Sequence, residues 1–515
     1  MTTSAENNKR IAKNSIFLSI RMILIMCISL YTSRVVLAAL GIEDYGIYNV
    51  VGGIVSLFAF INGAMSLTTT RFIAYELGKG NEKNIQQVFS TCVMIHILIA
   101  ILIFILSETV GLYLLEVHFT IPPNRMNAAR WVYQLSILNC IIMILSTPYN
   151  GAIVAYEKMQ AFAYISLFEA VLRLGVAFVI TYSFVDNLIV YAILLSIMQF
   201  LIRTCYTVYC KMHIPSIRFK NDFDLGKFKQ ILSFSGWTLF NNASIIACGQ
   251  GINILLNIFF NPAINAARGI AVQVEMAVSS FSKNFQVAAN PQITKKYASG
   301  EHEECYSLVM MTSKYAYLLM LLLSLPIFLE TDFVLNLWLT VVPDYSVEFI
   351  QIILLISLLN TLSEPLNTTV YSTGKVKYYQ LISGILLISV LPVSFLLFKI
   401  WKDPILVFQV YLIFSVVVFL YKLFYVIRVT SLSFLTYFKI VIFRIFCVTA
   451  FSFLILINVR NLLEVNYFLD FIGAVLIYIL ITFLVIIFVG LTKYEKNKIL
   501  CRLEKFVYLR KLGRK

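Results

Sequence analysis

Fourteen apolar stretches, each long enough to cross a bilayer, fill the chain from Asn14 to Gly490. A helix needs roughly 20 apolar residues to cross about 30 Å of hydrocarbon. The expected spans are 14–37, 46–67, 87–107, 130–154, 160–183, 187–209, 234–259, 266–290, 309–329, 346–372, 378–399, 404–427, 437–457 and 467–490. Across 515 residues, 60% are hydrophobic and 13% charged, a balance no soluble domain of this size has. The span at 266–290 has the weakest signal because it carries Arg268, Glu275 and Lys283. It is kept because removing it would invert the charge bias of every later loop. The expected fold is an all-α integral membrane protein of about 14 transmembrane helices.

The distribution of Lys and Arg orients these spans. With the N-terminus cytoplasmic, cytoplasmic segments hold 29 of the 41 basic residues, external loops 6, and the spans another 6. That is a strong positive-inside bias, and it places both termini in the cytoplasm. Glu43, Asp44, Asp186, Glu330, Asp332 and Asp344 all fall outside. The net charge of +15 therefore reports membrane orientation. Dispersed over inner loops, these charges do not form a nucleic-acid surface. The basic run from Lys493 to Lys515 suits anionic lipid headgroups as a partner.

The first apolar run is too long for a signal peptide and lacks a small-residue cleavage site. None of the nine cysteines falls in an external loop, and there is no CxxC or Cys/His spacing. Disulfides and a structural metal are not expected. No Walker loop, His/Glu metal cluster or Gly-x-Ser-x-Gly is present. Neither an enzyme nor a cofactor is expected.

The longest hydrophilic connection lies near 210–232 and separates six spans from six. It divides the chain into a lobe at 1–210, a basic linker at 211–232, a second lobe at 233–430, a helix pair at 431–490 and a basic tail at 491–515. The halves echo each other. Tyr45-Gly46-Ile47 opens the second span and Arg268-Gly269-Ile270 the eighth, while Tyr75-x-x-Gly78 and Tyr297-x-x-Gly300 follow those spans. Six spans per half keep both halves in one orientation, so the expectation is two parallel six-helix repeats plus an appended pair.

Ionisable groups inside a span cost roughly 2.5–3.5 kcal/mol on insertion scales, so they are rare and tend to line cavities. Here they are Arg21, Arg34, Arg173, Arg203, Lys283, Arg444, Glu169, Glu275 and Glu364, an excess of positive charge. Arg268 sits at the external mouth. In the eighth span Arg268, Glu275, Ser279, Ser282 and Gln286 fall within about 60° of one another, with Lys283 at the border. The tenth span aligns Asn360, Glu364, Asn367 and Tyr371, and the seventh Asn242, Gln250, Asn253 and Asn257. Such faces point at other helices or water. Cavity lining and helix–helix hydrogen bonding both account for them. Glu169 and Arg173, at i and i+4, read as a local ion pair.

At the first external loop, Ser33-Arg34 and Leu40-Gly41-Ile42-Glu43-Asp44-Tyr45-Gly46-Ile47-Tyr48-Asn49 resemble the "R…LG…YG.Y" junction of polysaccharide-biosynthesis (O-antigen type) flippases. That family belongs to the superfamily that also holds multidrug and toxin exporters. Thr68-Thr69-Thr70-Arg71-Phe72 followed by Gly78-Lys79-Gly80-Asn81 resembles the family's next loop. The 6 + 6 + 2 layout agrees. The resemblance implies a bacterial cytoplasmic-membrane flippase that moves an undecaprenyl-pyrophosphate-linked oligosaccharide to the outer leaflet by alternating access, for surface polysaccharide or lipopolysaccharide synthesis. It further implies that Arg21 and Arg34, with Arg268 and Lys283, meet the pyrophosphate. Glu275, Ser279, Asn253, Asn360 and Glu364 would line the cavity, and H+ or Na+ would be the coupling ion. The alternatives are an ion-coupled multidrug exporter, whose cavity should be net acidic, and a membrane glycan polymerase or ligase, which needs a larger external loop.

Overall fold

The computed structural model describes residues 4–56, 59–117, 121–182, 186–220, 224–260, 262–339, 342–463, 467–492 and 495–496. Among these residues the regular structure is all helical, with no strand. The helices are α1 (Ser4–Ser56), α2 (Ala59–Lys79), α3 (Glu82–Val117), α4 (Met126–Ala155), α5 (Met159–Thr181), α6 (Asn187–His213), α7 (Leu225–Phe259) and α8 (Pro262–Ala298). There follow α9 (His302–Leu329), a short α10 (Thr331–Trp338), α11 (Ser346–Thr373), α12 (Lys377–Ile400), α13 (Leu406–Val429), α14 (Phe434–Leu462) and α15 (Phe468–Gly490). Twelve segments are long and apolar enough to span. Of the other two expected spans, 266–290 lies within α8. The span at 46–67 is helical on both sides of residues 57 and 58, which are outside the described set.

α1 is two helices joined at Gly41, whose φ of +78° and ψ of 170° lie outside the helical region. That conformation is open essentially to glycine alone, which lacks a Cβ, and costs other residues about 1–3 kcal/mol. The Leu40-Gly41 of the first loop is therefore a break that lets the chain turn between spans. The two Tyr-x-x-Gly matches differ in role. Gly300 (φ +81°) ends a helix, as Gly80 (φ +69°) does, whereas Gly78 is still helical.

The chain divides into two compact units. The first comprises Met1–Ser244, Val287–Cys305 and Thr368–Gly384. Within it α1 packs on α5, and α4 on α2 and α6. The rings of Phe72, Phe234 and Tyr371 meet edge to face at 5.5 and 5.7 Å. The second unit comprises Ile245–Gln286, Tyr306–Asn367 and Ile385–Lys515. There α14 and α15 are tied to α9 and the turn after it. Tyr478 donates to Glu330 at 2.8 Å, and Arg460 pairs with Glu330 at 3.3 Å. Further along, Tyr317 meets Thr449 at 3.0 Å and Lys314 meets Glu495 at 2.7 Å.

Loop-to-loop contacts follow the alternation of sides expected from sequence. Arg125 bridges Asp44 and Asp186, joining three loops expected outside. Arg460 and Glu330 are also both expected outside. Glu157 with Lys295, and Lys227 with Asn84 and Gln87, join loops expected inside. One part of the charge inventory is corrected. Lys314 and Lys422, counted above with cytoplasmic loops, lie well within α9 and α13. Lys314 is fully buried, which is possible because Glu495 takes its ammonium with both carboxylate oxygens. Most of the basic tail at 491–515 lies outside the described residues.

Candidate substrate-binding residues

In the first unit, Arg21 projects from α1 toward α5. Its Nη1 donates to Ser166 Oγ at 3.4 Å, and its guanidinium carbon stands 4.8 Å over the Phe162 ring. Its Nε is buried without a hydrogen-bond partner. No carboxylate lies within ion-pair distance of it among the described residues. Ser166 also lines a cavity of about 170 Å³, together with Ser29, Thr32, Glu169 and Arg173. Arg173 and Glu169 pair at 3.2 Å, as their spacing predicts, and the pair faces this cavity. Arg34 is exposed. It lies about 20 Å further along the same helix, at 1.5 Å per residue, so the structure does not bring it to Arg21.

In the second unit, Arg268 bonds Asn253 through Nη1 and the Gly249 carbonyl through Nη2, the latter at 2.9 Å. This ties the start of α8 to α7. Its Nε, like that of Arg21, is buried and unbonded. Lys283 pairs with Glu275 at 3.6 Å, and Glu275 also accepts from Ser357 of α11 at 2.8 Å. The polar stripe of α8 thus divides. Ser282 donates to Ala316 of α9 at 3.0 Å and Gln286 to Thr361 of α11 at 2.7 Å, which is helix–helix bonding. Ser279 Oγ is buried without a partner. Asn360 is exposed. Glu364 accepts from Asn367 at 2.8 Å and lies within electrostatic reach of Lys283 and Lys422. Arg268 and Lys283 are 15 residues apart on one helix, about 22 Å, so they mark two positions and not one pocket.

Three basic residues escaped the sequence reading: Arg71, Lys314 and Lys422. Each lies within a few turns of a helix end, where a charge ordinarily reaches water; Arg71 and Lys314 are instead buried, and Lys422 is half-buried within electrostatic reach of Glu364. The signal for Arg71 was its place in Thr68-Thr69-Thr70-Arg71-Phe72, where a charge follows three hydroxyls on one helix.

A family model described as MatE matches residues 12–179. No curated protein matches the chain. Among solved structures, the outward-facing conformation of a multidrug resistance MATE family transporter of the MOP superfamily superposes with a TM-score of 0.70. The identity is 14%, covering 84% of this chain and 99% of that one. The MATE transporter ClbM in complex with Rb+ gives a TM-score of 0.69 at 16% identity, covering 83% and 96%. MATE in its straight conformation gives 0.69 at 14%, covering 82% and 97%. The chain therefore has the MATE transporter fold, with a MatE match over its first third.

Proposed function

We propose that this chain is a transporter that flips an anionic, polyprenyl-diphosphate-linked oligosaccharide from the inner to the outer leaflet of a bacterial cytoplasmic membrane. Both termini would be cytoplasmic, as the basic bias of the loops requires. One observation carries the reading. Each unit places an arginine inside a helix, Arg21 and Arg268, with a buried unbonded Nε and no carboxylate partner among the described residues. A guanidinium without a counter-charge inside a span is costly, and the deeper of the two, Arg21, marks a place where an anion can be received. Its planar fork suits phosphate oxygens.

A second reading, ion-coupled export of small cations, rests on the relatives themselves, one described as a multidrug resistance transporter and one as holding Rb+. Against it, the half-buried acids Glu275 and Glu364 of the second unit are engaged, Glu275 by Lys283 and Ser357, and Glu364 by Asn367. The test is Arg21→Ala and Arg268→Ala in a surface-glycan assay at matched protein levels. Each variant should lower surface glycan at least tenfold. Full surface glycan in both, or drug sensitivity without glycan loss, would discard the flippase in favour of the exporter.

A further inference from the structure

Arg71 is the buried arginine that the proposed cavity leaves unused. It is 6% exposed. Its Nε donates to the Tyr371 carbonyl at 2.6 Å and its Nη2 to the Ser372 carbonyl at 3.2 Å. These carbonyls belong to the last turn of α11, where the chain has run out of intrahelical donors and the dipole leaves about half a negative charge. Phe72, Tyr75 and Phe234 present their rings at 4.3, 4.9 and 5.3 Å from the guanidinium carbon. Among the described residues no carboxylate lies within ion-pair distance. The cation is held here by partial charges and ring faces, with the charge of Glu76 adding attraction from beyond ion-pair distance.

A second contact fastens the same region of the first unit. Glu157, its side chain 1% exposed, accepts from Lys295 Nζ and Gln292 Nε2 of α8, both at 2.6 Å. Gly78 lets α2 touch α8, since a Cβ there would stand 2.3 Å from the Lys295 carbonyl. The ends of α2, α8 and α11 and the turn after α4 are thereby closed on one another. By the charge bias of the loops, this is the cytoplasmic face.

We propose that Arg71 is both the latch of this closed face and the first cytoplasmic ligand of the substrate's diphosphate. The proposal rests on the flippase reading. When the face opens, the guanidinium leaves the α11 carbonyls and its fork is free for two phosphate oxygens. The bonds it then makes are between full charges, and its planar fork can meet two phosphate oxygens at once. The diphosphate therefore favours the open face, by no more than its difference in affinity for the two states.

The experiment uses Thr294→Cys in a transport-competent chain whose native cysteines are replaced. Thr294 is 3% exposed, and its Oγ1 lies 3.2 Å from Ser372 Oγ at the closed seam. Inside-out vesicles are labelled with a membrane-impermeant maleimide, with farnesyl diphosphate as the probe and farnesol as its neutral control. Farnesyl diphosphate should speed labelling at least threefold and farnesol should not. Arg71→Ala should label fast without probe, yet bind farnesyl diphosphate about 10- to 100-fold more weakly. Glu157→Gln loosens the same face but keeps Arg71, so it should label fast and bind the probe more tightly. Slow labelling of Arg71→Ala overturns the latch, and undiminished affinity in Arg71→Ala overturns the ligand role. If the wild type binds no farnesyl diphosphate while Arg71→Ala still labels fast, the flippase reading fails and takes the ligand role with it.

Discussion

The pair formed by Glu157 and Lys295 offers the sharpest test of how the first unit is held. The Glu157 carboxylate is buried and sits in a turn with φ of +59°, a conformation an L residue keeps only when its surroundings hold it there. At 2.6 Å the gross attraction to Lys295 is about 6 kcal/mol for an effective dielectric of roughly 20. Desolvation offsets part of it. Removing one partner of a buried pair nevertheless costs about 3–5 kcal/mol, because the other charge stays behind. The Lys295 side chain is 23% exposed, so the lower end, about 3 kcal/mol, applies. Lys295→Met should therefore lower the apparent Tm of the purified protein by about 6 °C, at roughly 2 °C per kcal/mol. Glu157→Gln combined with Lys295→Met removes both charges and should return to within about 1 kcal/mol of the wild type, a coupling of about 2–3 kcal/mol. The measurement is a thermal double-mutant cycle in detergent at fixed lipid content. A Tm change under 1 °C for Lys295→Met, or a double variant as unstable as the sum of the singles, would refute the buried-pair argument.

Three further outcomes are expected. Gly78→Ala drives a methyl into the Lys295 carbonyl and should destabilise by about 1–3 kcal/mol, and an unchanged melting curve would deny the close crossing of α2 and α8. Tyr478→Phe removes a 2.8 Å bond to the Glu330 carboxylate and should cost about 1.5 kcal/mol; the loss should shrink when Arg460→Ala has already loosened the same carboxylate. The third concerns pH. Burial alone would raise the Asp186 carboxyl, but the Arg125 guanidinium and the N–H groups of Leu188 and Ile189 outweigh it and hold it below its usual 3.8. The Arg125 guanidinium is raised, chiefly by its bond to Asp186. A depressed carboxyl contributes stability that is whole above the unfolded value and disappears as pH falls through the folded one. The wild type should therefore lose stability below about pH 3.8, and Arg125→Ala should flatten that part of a Tm-against-pH profile. A profile unaltered by Arg125→Ala would contradict the bridge.

Much of the fold is legible in the chain because bilayer physics leaves few alternatives. Long apolar runs must be helices, and loop charge must alternate. The contacts of Arg125 with Asp44 and Asp186, and of Arg460 with Glu330, join residues that sequence alone had placed on one side. Less of the candidate site is legible. Helical spacing put Arg268, Glu275, Ser282 and Gln286 on one face. Spacing does not say which neighbour each side chain meets, and they turn to α7, α11, α9 and α11 in turn. The Glu169–Arg173 pair was legible because its partners are one helical turn apart.

What the sequence by itself determined is local or statistical: the helical class, and the number of helices long and apolar enough to span to within two of the fourteen expected. These follow from hydropathy and charge summed over tens of residues, which need no knowledge of neighbours. Only the tertiary structure decided which cations are compensated. Lys314 is neutralised by Glu495, 181 residues away, whereas Arg71 donates to the carbonyls of Tyr371 and Ser372, about 300 residues away, with no ion-pair partner among the described residues. Burial of a charge depends on what faces it across the packed helices. That partner is set by three-dimensional packing, on which spacing along the chain carries no information.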